Sequence, residues 1–144
     1  MAITTNAICN SFKKELLEAK HDFTAATGSV FKLAMYTSAA TLGKSTTSFT
    51  TGSEVSSPAG YTSGGKALVN TGTSVASSVA ITDFSDLSFT NVTLTARGAL
   101  IYNTSNANSA VAVLDFVDNK TATAGTFTIQ FPAYTTSAAI LRIS

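Results

Sequence analysis

Apolar residues recur at every second position along most of this chain. The densest stretch runs from Asn91 to Asn103, NVTLTARGALIYN. Its first half alternates, with Val92, Leu94 and Ala96 on one face and Thr93 and Thr95 on the other. That is the period of a strand with one buried face. From Ala99 to Tyr102 every residue is apolar, which predicts burial on both faces. Gly98 interrupts the two halves, and a glycine inside a strand pattern marks a bulge or a close backbone approach. The stretch therefore predicts one long central strand bent at Gly98. A tight hairpin at Arg97-Gly98 is the competing reading.

Shorter runs surround it. Ser29 to Thr37 predicts a strand with Phe31, Leu33 and Met35 on one face and Lys32 and Tyr36 on the other. Lys66 to Asn70 and Ser74 to Phe84 read as strands, and Leu87 to Thr90 leads into the central one. Ala110 to Val117 is apolar almost throughout. Thr126 to Phe131 places Phe127, Ile129 and Phe131 inward, and Pro132 ends it by removing a donor. Ala138 to Ile143 closes the series. Asn103 to Asn108 and Asp118 to Gly125 read as turns. Ser38 to Gly65 is a long polar loop, of a length that is usually functional or mobile, and Thr46 to Thr51 within it could form an edge strand. These seven or eight short strands favour a mainly all-β fold, an antiparallel β-sandwich with one N-terminal α-helix. A closed barrel is the alternative.

That helix is expected over Asn6 to Lys20. Ile8, Phe12 and Leu16 recur at helical spacing with Cys9 beside them. Thr5 or Asn6 would cap its start, and Lys20 and His21 would suit its negative end. Lys13, Lys14, Glu15 and Glu18 would face water. Residues 1–20 are thus expected as an N-terminal arm or helix on a single β-sandwich domain of residues 21–144, packed on its own sheet or on a neighbouring subunit.

Composition sharpens this picture. Of 144 residues, 44% are hydrophobic and only 12% charged, about half the usual charged share. Ser and Thr supply roughly three residues in ten. The net charge is +1, which argues against nucleic acid as the main partner. A nearly neutral surface suits a subunit that is docked to others, a homo-oligomer such as a dimer or trimer. One cysteine allows no intrachain disulfide. No apolar run approaches the roughly 20 residues of a membrane span. The opening residues lack the features of a secretory leader, so synthesis in the cytoplasm is expected.

Candidate chemistry is sparse. His21 is the only histidine and reads as a surface residue at a helix end. Cys9 and His21 alone make a zinc site improbable. Gly60 to Lys66, GYTSGGK, has the spacing of a phosphate-binding loop up to its lysine, but Ala67 stands where a hydroxyl should hold magnesium. No helix is expected to follow. Asp83 with Asp86, and Asp115 with Asp118, read as turn caps rather than calcium ligands. Tyr36, Tyr61, Tyr102 and Tyr134 read as packing residues, though tyrosines also stack on sugars. The sequons at Asn91, Asn103 and Asn119 are expected by chance in so Ser/Thr-rich a chain. No catalytic residue, cofactor site or metal site is assigned, and no enzymatic activity is expected.

The segments AICNSFKKELL, FKLAMYTSAATLG, GYTSGGKAL, TARGALIYN and FTIQFP, in this order over essentially the full length, resemble a family of small virion proteins of tailed bacteriophages. The resemblance implies a β-rich structural component on the virion. A decoration or cement protein on the capsid exterior, bridging subunits of the phage major capsid protein, is the expected role. A neck, tail or fibre component and a carbohydrate-binding adhesin are the alternatives. In the first role residues 1–20 would be the arm and loop 38–65 the adaptable contact.

Overall fold

In a computed structural model, which describes residues 3–56 and 59–144, two long strands form the axis of the molecule. The elements are β1 (Ala7–Ile8), α1 (Asn10–Leu17), β2 (Phe31–Tyr36), β3 (Lys66–Ala67), β4 (Asn70–Ala76), β5 (Val79–Phe84), β6 (Leu87–Asn103), β7 (Ser109–Ile129) and β8 (Leu141–Ile143). They build a five-stranded sheet, in the order β1-β7-β6-β2-β3, and a three-stranded sheet, β4-β5-β8. Every pairing is antiparallel. The mainly β architecture with one short helix, consistent with a sandwich, is the one the alternation predicted. Neither sheet closes on itself. Met1 and Ala2 of the expected arm, and Ser57 and Pro58 of the long loop, lie outside the described residues.

The central strand forms as one piece. Ala99 to Tyr102 is at most 2% exposed, because β2 pairs on one side of it and β7 on the other. The expected irregularity at Gly98 is present. The ladder shifts register between Ala96 and Gly98, and no hairpin forms there. A side chain at Gly98 would place its Cβ 2.6 Å from the Leu114 carbonyl and 2.6 Å from Ile3 Cδ1. The close approach of neighbours, and not a left-handed backbone, is what requires glycine.

One turn prediction and two strand predictions are corrected. Asp118 to Gly125 is not a turn. β7 runs through it, with Val117 at φ 71° and Ala124 at φ 46° taking up the extra residues as bulges. Between Asp115 and Lys120 β7 places four residues opposite the single Arg97 of β6. Conversely, Ser74 to Phe84 is not one strand. Ser77 and Ser78 both take positive φ, 51° and 62°, and Ala76 pairs with Val79. That is the two-residue hairpin turn whose hand matches strand twist. The strand expected over Lys66 to Asn70 is also divided. Lys66 and Ala67 pair with β2, and Asn70 begins β4 in the other sheet.

The N-terminal segment departs furthest from expectation. The helix covers eight residues, not fifteen. Ala7 and Ile8 instead pair with Val113 and Ala112 on β7. Cys9 occupies the N-cap without a side-chain cap bond, and Asn6 Oδ1 accepts from the Asp115 amide at 2.6 Å. Ala19 at φ 59° ends the helix. Ile3, Cys9 and Phe12 are at most 1% exposed and belong to the central apolar cluster. Over its described residues this segment is part of the core and not a projecting arm. Burying Phe12 alone contributes on the order of 2–3 kcal/mol.

Candidate functional site

His21 is the first correction among the candidate residues. It is buried, not superficial. Its side chain is fully covered and tilts against Phe12 at 4.8 Å between ring centroids. Its Nε2 lies 2.8 Å from Glu15 Oε2, and Asn103 Nδ2 lies 2.9 Å from its Nδ1. Asn103 Oδ1 accepts from the Ser105 amide, so the amide nitrogen must face the imidazole. Nδ1 is then the acceptor and Nε2–H donates to Glu15. The histidine ties the end of α1 to the end of β6 and has no free nitrogen to offer a substrate. Cys9 is equally enclosed, with burial pushing its thiol up to about 11, far from the thiolate a nucleophile needs.

The GYTSGGK loop does hold an anion, and the anion is the chain's own. Glu54 Oε1 accepts from the Gly64 amide at 2.6 Å and from the Tyr61 hydroxyl at 2.8 Å. Its Oε2 accepts from Ser63 Oγ at 2.8 Å. Lys66 turns away and donates to the Ser88 carbonyl at 2.6 Å. Gly65 is wedged against β2, with no room for a Cβ at φ 76°. These bonds gather Tyr61, Ser63 and Gly64 around Glu54, which itself bridges to Tyr36 of β2.

The rest of the long loop is similarly tied. Tyr36 donates to the Thr50 carbonyl and Tyr102 to the Gly64 carbonyl, both at 2.6 Å. The Met35 amide donates to the Tyr61 hydroxyl. Burial raises all three phenols, Tyr36 to about 12. Thr46 to Thr51 forms only a single bridge, Ser48 to Ser109, in place of an edge strand. Tyr36, Tyr61 and Tyr102 are thus sealed beneath it, and of the four tyrosines only Tyr134 reaches the surface.

The acids serve backbone and ion-pair roles. Asp83 accepts from the Phe84 amide and Asp86 from the Phe131 amide. Burial, then the Asp86 charge among the lesser causes, holds the Asp83 carboxyl above its ordinary 3.8. Asp115 pairs with Arg97 and accepts from the Val117 amide. The hydrogen bond from Arg97 holds it below 3.8. Among the described residues no three His, Cys, Asp or Glu side chains come together as a metal site.

The concave surface lies elsewhere, on either side of Ala139 and Ile140. One groove of about 830 Å³ follows β7 and is lined by Ile8, Leu114, Phe116, Phe127, Ile129 and Phe131 among others. β1 covers β7 only at Ala112 and Val113. From Leu114 to Ile129 the outward edge of β7 meets no named strand among the described residues. The second, of about 490 Å³, lies between α1 and the three-stranded sheet. Neither was legible in the sequence. The signal available in hindsight is the apolar alternation of Ala139, Leu141 and Ile143. Comparison with protein-family models, curated proteins and solved structures finds no match to this chain.

Proposed function

We propose that this protein is a structural component of a tailed-phage virion, a capsid decoration protein that bridges major capsid protein subunits on the outer shell, as a dimer or trimer. The observation that carries the proposal is the open edge of β7 beside its apolar groove. An unpaired strand edge is a template for pairing, which proteins living alone blunt with charge, proline or cover. Here Leu114 to Ile129 carries three charged residues, Asp115, Asp118 and Lys120, and Asp115 is paired with Arg97; from Thr121 to Ile129 the edge carries neither charge nor proline. Low overall charge and exposed Leu17, Val69, Val75, Val117 and Ile143 also favour a docked state. The enclosure of His21 and Cys9 supports a role in contacts over one in catalysis. The likeness of five ordered segments to small phage virion proteins supplies the setting.

Quantitative mass spectrometry of the purified particle tests the reading. Copies in the hundreds, comparable with the capsid protein, are expected for a decoration role. Tens or fewer would reassign the chain to a neck, tail or fibre. Absence from the particle would overturn it.

A further inference from the structure

The open edge of β7 has definite ends. β1 occupies its outward side at Ala112 and Val113, and Asn6 Oδ1 takes the Asp115 amide. At the other end Ile129 is the last residue of the strand. The free stretch is therefore Phe116 to Ile129, on the order of 45 Å at the usual rise of a strand. The other strands at the sheet margins are shorter: β1 and β3 have two residues each, β8 three and β4 seven. Among the described residues nothing else in the chain matches the length of this edge. Left open, an edge so long and so lightly charged drives open-ended association, unless one partner uses all of it.

We propose that the partner is a second copy of this chain, with the two β7 edges paired antiparallel about a twofold axis. This deepens the docking reading above and rests on the same open edge. The ends of the edge set the register. Ile129 of one copy reaches Phe116 of the other and no further, because Asn6 and β1 fill the slot beyond. Full use of the edge therefore sets Phe116 opposite Ile129 and places the axis between Ala122 and Thr123. The axis lies beside Lys120 to Ala122, which pair in regular register with Ala96 to Leu94. It also lies between the bulges at Val117 and Ala124.

The edge is suited to its own copy in this register. Phe116 and Ile129 both line the apolar groove, so the pairing brings apolar ends together. Asp118 falls opposite Phe127 and Lys120 opposite Gly125, so no like charges are opposed. A net charge of +1 per chain adds little repulsion between copies. The contact is isologous and closes at two copies, each edge consumed by the other.

Sedimentation equilibrium of the full chain up to about 100 μM tests the pairing. A reversible dimer is expected, with amides of residues 116–129 exchanging more slowly as the dimer fills. Thr123 is exposed and beside the axis. Thr123→Cys should therefore form an interchain disulfide on oxidation, its Cα atoms within the roughly 7 Å such a bond spans. The parent should not, since its one cysteine, Cys9, is buried. Thr123→Lys sets like charges together and should weaken the dimer at least about tenfold, with the urea midpoint of the dilute monomer unchanged. A monomer at every concentration would overturn the pairing. So would a trimer, a dimer that Thr123→Cys fails to cross-link, or one that Thr123→Lys leaves intact. A monomer present in hundreds of copies on the particle would overturn the pairing and leave the virion reading standing. A cross-linking dimer absent from the particle would do the reverse.

Discussion

β6 and β7 pair along almost their whole length, yet their two halves are different structures. In the inner half, Gly98 to Asn103 and Ser109 to Val113 are buried at every position. β2 flanks them on one side and β1 on the other. In the outer half, Val92, Leu94 and Ala96 are buried while Thr93 and Thr95 are exposed. There β7 has no named strand beyond it among the described residues. The inner half is fixed by packing on all sides, and the outer half by one face and the ladder alone. A one-residue slip would mismatch the packing on both faces of the inner half, while in the outer half it would turn Thr93 and Thr95 inward. The outer half tolerates bulges at Val117 and Ala124, which bring no buried group out of register.

Substitutions should separate the two regions, most sharply where the inner half meets its neighbours. Gly65→Ala would drive a Cβ to 1.8 Å from the Leu33 carbonyl at a positive φ. We expect a loss of about 4 kcal/mol or more, or failure to fold, measured by urea denaturation. Gly98→Val should cost about 3 kcal/mol or more, since the Leu114 carbonyl cannot retreat without breaking the ladder. Phe12→Ala should cost about 3–5 kcal/mol. Deleting residues 1–20 should unfold the protein, as Ile3, Cys9 and Phe12 all leave the core. A folded truncation would restore the view of this segment as an arm.

The carboxylates give a finer contrast. Asp115 is held below its ordinary value, so its contribution is fully present above the unfolded pKa and lost as pH falls through the lower folded one. Asp115→Asn should lower the urea midpoint at pH 7 and flatten the acid decline. Asp83 is held above 3.8, so its charge opposes folding at neutral pH. That penalty fades as pH falls from the raised value toward 3.8. Asp83→Asn should raise the midpoint at pH 7, with the gain shrinking in acid. The smallest effect is expected at Leu17, 91% exposed. Leu17→Lys should stay within about 0.5 kcal/mol of the parent.

Where one physical signal dominated, the sequence was legible. Apolar runs marked the inner strands, alternation marked the outer ones, and Gly98 marked a close approach. Turns were less legible because their chemistry was atypical. Ser77-Ser78 makes a turn that Asn-Gly would have announced, whereas DNKTATAG has turn composition but stays paired through Thr95–Thr121 hydroxyls 2.9 Å apart. The helix was overextended because Ile8 fits a helical stripe and a two-residue strand equally well. His21 was misplaced because burial of a polar residue depends on partners, here Glu15 and Asn103, that lie six and eighty-two positions away. The grooves were not legible because they arise from the spacing between elements, not from the pattern within any one.

The central proposal is that this chain makes repeated contacts on a phage shell. A cryo-EM reconstruction of the intact particle tests it most directly. The account predicts this fold on the outer capsid surface at many symmetry-related positions, with the Leu114 to Ile129 edge of β7 against a neighbouring chain. Density for the fold only at a neck, tail or fibre, or a β7 edge left facing solvent in every copy, would contradict it.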